Sequence, residues 1–141
     1  MNAIAVPIND AREAQWASRQ VTEMYRREPV HVHLINVQPP LSRHISQFLN
    51  VKDVRAHHLE EGMRVLAPAI EALDKAGVPH TDHVLVGRKV DCIVRFAKDH
   101  SCSQVVLEAP SEGLLSIFGL GSLASQIQRA ISANAAKTRP S

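Results

Sequence analysis

The sequence is short of cysteine, of surplus charge and of long apolar runs, and each shortage removes a class of protein. Only two cysteines occur, Cys92 and Cys102, ten positions apart. They cannot build a disulfide scaffold or a cysteine zinc site. They read as free thiols of a reducing compartment, a single bridge between them being the alternative. The formal net charge is +2, and the basic residues are scattered rather than striped. Nucleic acid is therefore not an expected partner. No apolar run approaches the roughly 20 residues that a membrane helix needs. The opening "MNAIAVPIND" has an acid early and no basic region before an apolar stretch. No signal peptide is expected, and the cytoplasm is the expected location.

What the chain does have is enough apolar residue for a core. Its 141 residues are 45% apolar and 21% charged, the balance of one globular domain. "AIAVPI" (3–8) is a short apolar run closed by "ND" and predicts a buried strand, with Pro7 near its end. Between Asp10 and Arg27 the period changes. Ala14, Ala17, Val21, Met24 and Tyr25 recur at three- and four-residue spacings, which predicts a helix capped by Asn9 or Asp10 and stopped by Pro29. "VHVHLINV" (30–37) is a second strand, apolar enough to be covered on both faces.

A long helix is predicted from Val51 to Ala76, with Val54, Leu59, Met63, Leu66, Ile70 and Leu73 inward and "AG" as the stop. Pro68 predicts a kink or broken turn inside it. "HTDHVLVG" (80–87) is a more polar strand, which suits a sheet edge. A helix over 89–101, a strand "QVVL" over 104–107 and a helix over 122–133 follow. The tail 134–141 is small and polar and is expected to fray. Alternation of strand and helix predicts an α/β, doubly wound parallel sheet, in which ligands bind beyond the carboxyl ends of the strands. The tips "PIND" and "LEAPSEG" are those ends.

"IAVPIND", "LINV", Gly87 after the third strand, "QVVL" and a loop ending in Gly121-Ser122 before a last helix form an ordered set. Together they resemble the universal stress protein family over nearly the whole chain, residues 1–141 as a single domain. The resemblance implies a Rossmann-like fold with strand order 3-2-1-4-5, a cytoplasmic stress-response or regulatory role, and a homodimer. The family's fifth strand is apolar and C-terminal. "ANAAKTRPS" offers none, so the order 3-2-1-4 is expected here. The exposed edge of the fourth strand then needs a cover, either a partner subunit or the segment "LLSIFGLG".

One branch of the family binds ATP through G-x2-G-x9-G-[ST] after strand four. Gly121 and Ser122 match the final pair. Counting back puts Ser111 and Glu108 where the two other glycines belong, with Pro110 between them. A phosphate loop needs unpaired N–H groups facing the anion. Pro110 has none, and a Glu108 carboxylate about 5 Å from phosphate costs roughly 3 kcal/mol per unit charge at an effective dielectric of about 20. The expected reading is a regulatory binding module with a degenerate loop, without family-type ATP binding and without enzyme activity. The alternative is an ATP- or AMP-binding sensor, with Mg²⁺ beside ATP, that uses Pro7, Asn9, Val37, Ser111, Gly121 and Ser122. Asn9 takes the place of the family's sugar-binding Asp, and Val37 that of a residue whose backbone meets adenine. A nucleotide hydrolase has least support, because no acid cluster to hold a metal or activate water is visible.

Other residues have two readings each. Gly121-Ser122 holds an anion or merely caps a helix. Glu108 and Glu112 are a carboxylate pair or a solvated loop. Arg88 and Lys89 attract an anion or start a helix. His31 and His33 share one strand face and could ligate a metal, but no third ligand is visible, so no metal is expected. His57 and His58 diverge on a helix and suit structural or surface roles. Cys92 reads as a small buried hydrophobe, and Cys102 as more exposed. Leu114, Leu115, Ile117, Phe118 and Leu120 crowd one connection. They fold back on the core or form a surface for a protein partner.

Overall fold

Three carboxyl-terminal strand ends lie side by side because of how the chain winds. In the computed structural model, which describes residues 2–109, 113–117 and 127, the sheet runs β3-β2-β1-β4-β5. Strand β1 (Asn2–Pro7) pairs in parallel with β2 (Val30–Gln38) on one side and β4 (Gln104–Ala109) on the other. Strand β3 (His80–Val86) pairs in parallel with β2 and stands at the edge, where its polar character placed it. The four parallel strands thus have the expected order 3-2-1-4.

A further strand that the sequence did not announce joins this sheet, and it is not the family's C-terminal one; the C-terminal segment expected to lack that strand lies outside the described residues. Gly113–Ile117 turns back as β5 and pairs antiparallel with β4, Ala109 facing Gly113 and Val105 facing Ile117. The edge of β4 is therefore covered by part of "LLSIFGLG", the intrachain option. Leu114, Leu115 and Ile117 belong to this strand. Phe118, Leu120, most of the predicted last helix and the tail 134–141 lie outside the described residues. Ile127, which is described, is helical and fully buried.

Helix α1 (Ala11–Arg27) begins where Asp10 accepts the Glu13 N–H at 2.7 Å, and Arg26 and Arg27 complement the dipole of its last turn. A four-residue helix α2 (Arg43–Ser46), capped by Ser42, fills the connection after β2. Helix α3 spans Val51–Ala76, capped by Asn50 and closed by Gly77 at φ 72°. Such a left-handed cap favours glycine. The broken turn expected at Pro68 does not occur: the helix runs through it. Pro68 and Arg64 are both exposed, so the Arg64 carbonyl, which cannot receive an N–H from Pro68, belongs to the solvent side of the helix.

The buried row of α3 is His58, Gly62, Leu66, Ala69 and Leu73, whereas Leu59, expected inside, is 56% exposed. Gly62 sets this register. A Cβ there would lie 2.5 Å from both methyls of Val84, so only glycine lets α3 approach β3 this closely. Helices α1 and α3 cover one sheet face around Ile4, Val6, Val32, Leu34 and Leu66. Helix α4 (Lys89–Asp99) covers the other around Ala5, Ile35, Ile93, Phe96 and Val105. Burial of each large aliphatic side chain contributes roughly 1.5–3 kcal/mol.

Candidate functional site

A cleft of about 400 Å³ opens beyond the carboxyl ends of β1, β2 and β3. Asn9 enters it from the end of β1. Asn36, Val37 and Gln38 enter from β2, followed by Pro39. Val65 comes from α3, and Gly87 and Lys89 from the turn that opens α4. Asn9 and Val37, singled out in the sequence, therefore share one site. Pro7 closes β1 just before it, opposite Ile35.

The floor is pinned by hydrogen bonds. Asn36 is buried, its Nδ2 donates to the Ile8 carbonyl at 2.9 Å, and its Oδ1 accepts from Gln38 Nε2 at 2.6 Å. The Ile8 N–H donates to the Ile35 carbonyl at 2.8 Å, and the Gly87 N–H to the Gln38 carbonyl at 3.1 Å. Three strand ends are thus joined across their tips. Gly87 holds φ at 148°, and a Cβ there would come within 2.9 Å of Cys92 Sγ. The turn requires glycine on both counts.

The wall beside Asn9 belongs to α1. The Asn9 N–H donates to Glu13 Oε1 at 2.8 Å. Burial, the strongest influence on it, raises the Glu13 carboxyl above its ordinary range, while the Asn9 hydrogen bonds and Lys89 pull the other way. Lys89 therefore brings positive charge to the cleft. Arg88 is the N-cap residue of α4 and makes no side-chain cap bond.

Glu108 stands near the end of β4, mostly buried, and its carboxylate receives the guanidinium of Arg12 from the first turn of α1. That hydrogen bond is the strongest of the influences raising the Arg12 pKa. The repulsion expected between Glu108 and an anion is thus partly compensated by a partner that the sequence did not announce. Ser111, Gly121, Ser122 and Glu112 lie outside the described residues, as does Pro110.

The histidines fall into separate places. His31 and His33 do share one face, their rings 4.8 Å apart and T-shaped. Their neighbours are Thr81 and His83 of β3, at 2.7 and 3.0 Å. His58 is buried on α3 with no partner for Nδ1 among the described residues, and His57 is exposed. Among the described residues no group of three or more His, Cys, Asp or Glu could hold a metal ion. Cys92 and Cys102 are free and half-buried against the α4 core, and burial raises both thiols. None of the helices described is long and apolar enough to cross a membrane.

Sequence reasoning missed Asn36 and Gln38. The available signal was a lone amide inside the apolar strand "HLINV", which a buried strand tolerates only when the amide is hydrogen-bonded.

A doubly wound α/β sheet with a cleft across the tips of its parallel strands is a Rossmann-like architecture. The sequence pattern of the Universal stress protein family matches residues 1–134, and the chain belongs to that family. No curated protein matches it in sequence. Among solved structures, a universal stress protein family member from Burkholderia pseudomallei is 17% identical, with 91% of this chain and 88% of that one covered and a TM-score of 0.61. A universal stress protein from Archaeoglobus fulgidus is 20% identical, with 91% and 87% covered and a TM-score of 0.58. A family protein from Arabidopsis thaliana, solved with AMP bound, is 14% identical, with 92% and 86% covered and a TM-score of 0.55. At such identities the likeness concerns the fold.

Proposed function

We propose that this universal stress-type protein is a cytoplasmic, homodimeric regulatory module of a stress response that neither binds ATP in the family mode nor catalyses a reaction. One observation carries the reading. After β4 the backbone returns at once as β5, Ala109 opposite Gly113. A phosphate loop needs a run of chain whose N–H groups are free to face an anion. Here the chain that leaves Glu108 is committed to a hairpin ladder. The partner, either a second copy or another protein, is expected to meet the molecule on the β5 side, where Leu114, Leu115 and Ile117 are found.

Calorimetry with ATP, ADP, AMP and cyclic AMP, with and without Mg²⁺, tests it. No heat with ATP is expected, and micromolar ATP affinity overturns the reading. Glu108→Gly combined with Ser111→Gly is expected to create no ATP binding, because the hairpin itself diverts the chain. Phosphate release in the same samples tests the absence of hydrolysis.

A second reading is favoured by the cleft. Asn9, Val37 and Lys89 line a space of about 400 Å³. The Arabidopsis relative was solved with AMP, and another universal stress protein, 18% identical, with cAMP. A nucleoside monophosphate needs far less of the loop than ATP does. Heat with AMP or cyclic AMP but none with ATP would select this reading over the first.

A further inference from the structure

Four imidazoles gather under the carboxyl-terminal half of α4. His31 and His33 come from β2, His83 from β3 and His100 from the C-cap of α4. His33 Nδ1 and His83 Nε2 face each other at 3.0 Å. Phe96 of α4 is clamped among them: its ring centroid lies 4.5 Å from His83, 5.3 Å from His33 and 3.8 Å from His100, the last stacked. His100 in turn stands 5.3 Å from His33 and 5.6 Å from His83.

We propose that the His33–His83 pair, which links β2 to β3 beneath α4, is an acid-operated seat: neutral, it packs against Phe96 and His100 and keeps α4 on the sheet; protonated, it puts charge under those rings and loosens α4. The chemistry follows from the inventory of ring nitrogens. Two neutral imidazoles make one N–H···N bond, one ring donating and the other accepting. A first added proton puts a charge among three further imidazoles. A second leaves two donors facing each other at bonding distance, and the bond is lost.

The groups acting on the pair from the elements around it are His31 on the same strand, Asp82 on β3 and His100 on α4; β1 contributes the apolar Ala5 opposite His33. Asp82 is the one acid among them, and it is held by His80 at 2.7 Å. Burial first, then His31, His83 and His100, bring His33 down to about 4. Burial and His100 lower His83 as well. Between about pH 6.5 and about 4 the unfolded chain therefore binds protons that the folded chain refuses, and stability falls as pH falls across that window. Phe96, Ile93 and Ala97 form the face of α4 that the seat keeps covered.

Hydrogen exchange on the intact chain at about pH 7.5 and about pH 5, corrected for intrinsic rates, reads the seat directly. Amides of α4 are expected to lose about thirtyfold in protection at the lower pH, since one proton over the roughly 1.5 pH units between about 6.5 and 5 is a thirtyfold effect. In the variant His33→Gln with His83→Gln, which keeps an amide pair but cannot titrate, α4 should show no such loss. Equal loss in the variant, or none in the native protein, overturns the proposal. Titration of the native histidine ring signals by NMR is independent of how the variant folds. Ordinary midpoints near 6.5 for both His33 and His83 would also sink it.

Discussion

Arg12, in the first turn of α1, donates to the carboxylate of Glu108 near the end of β4, a residue 96 positions later in the chain. The pair ties α1 to β4 beside the strand tips. It also puts a positive charge where the sequence shows only a negative one. Arg12 is half exposed, so solvent screens the pair, and its coupling energy is expected to be only about 0.5 kcal/mol. A double-mutant cycle of Arg12→Ala and Glu108→Gln by urea denaturation measures it. Its larger consequence concerns anions. Glu108→Gln removes the acid that engages Arg12, and if the protein binds AMP its affinity should rise about threefold to tenfold, or about 0.6–1.4 kcal/mol, in calorimetry. Arg12→Ala in the same background should abolish the gain.

Gly62 is a packing requirement rather than a hinge. An alanine methyl would lie 2.5 Å from both branches of Val84. A β-branched side chain has little rotameric freedom with which to escape. Gly62→Ala is expected to destabilise by about 1–3 kcal/mol despite the better helix propensity of alanine. Adding Val84→Ala should recover part of the loss. Equilibrium denaturation of the three variants checks both statements, and full stability of Gly62→Ala would show that α3 can move off β3 freely.

His80 titrates in the opposite sense to His33. Its Nε2 meets Asp74 Oδ1 and its Nδ1 meets Asp82 Oδ1, both at 2.7 Å. Burial is the strongest single influence and lowers His80, but the hydrogen bonds and charges of the two aspartates together outweigh it, and the net direction is upward. A histidine raised in the folded state stabilises fully below its unfolded value of about 6.5, and the contribution is lost as pH rises through the folded value. His80→Asn should therefore cost about 1 kcal/mol near pH 6, screened by the exposure of Asp74, and much less near pH 9. A cost that does not change with pH would mean that the imidazole is neutral throughout.

How much of this was legible in the chain differs by element, for physical reasons. Helix α3 was readable to its ends, because a long apolar period and the glycine at position 77 are local signals. The edge position of β3 was readable from its polar residues. Strand β5 was not. Five residues, "GLLSI", are too few for periodicity to separate a strand from an apolar loop, although their need for a cover was visible. Helix α2 has four residues and no apolar stripe. Within the site, Asn9 and Val37 were legible through a resemblance. Arg12–Glu108 and His33–His83 were not, because long-range partners are set by crossover and register, neither of which leaves a mark in local sequence.

Asn36 gives the sharpest test of the cleft itself. Its amide spans from the Ile8 carbonyl to the Gln38 side chain, and the residue is 3% exposed. Asn36→Ala leaves a buried carbonyl without its donor and a cavity at the junction of β1 and β2. A loss of about 1–3 kcal/mol is expected. Asn36→Asp keeps the size but replaces the donor with a charge facing a carbonyl oxygen, and should cost at least as much at neutral pH. The two variants also separate scaffold from site. If the cleft accepts a nucleoside monophosphate, both should weaken AMP binding, because Val37 and the loop after β1 are held by the same bonds. If the cleft is only a remnant, stability falls and calorimetry with AMP reads no heat in any of the three proteins.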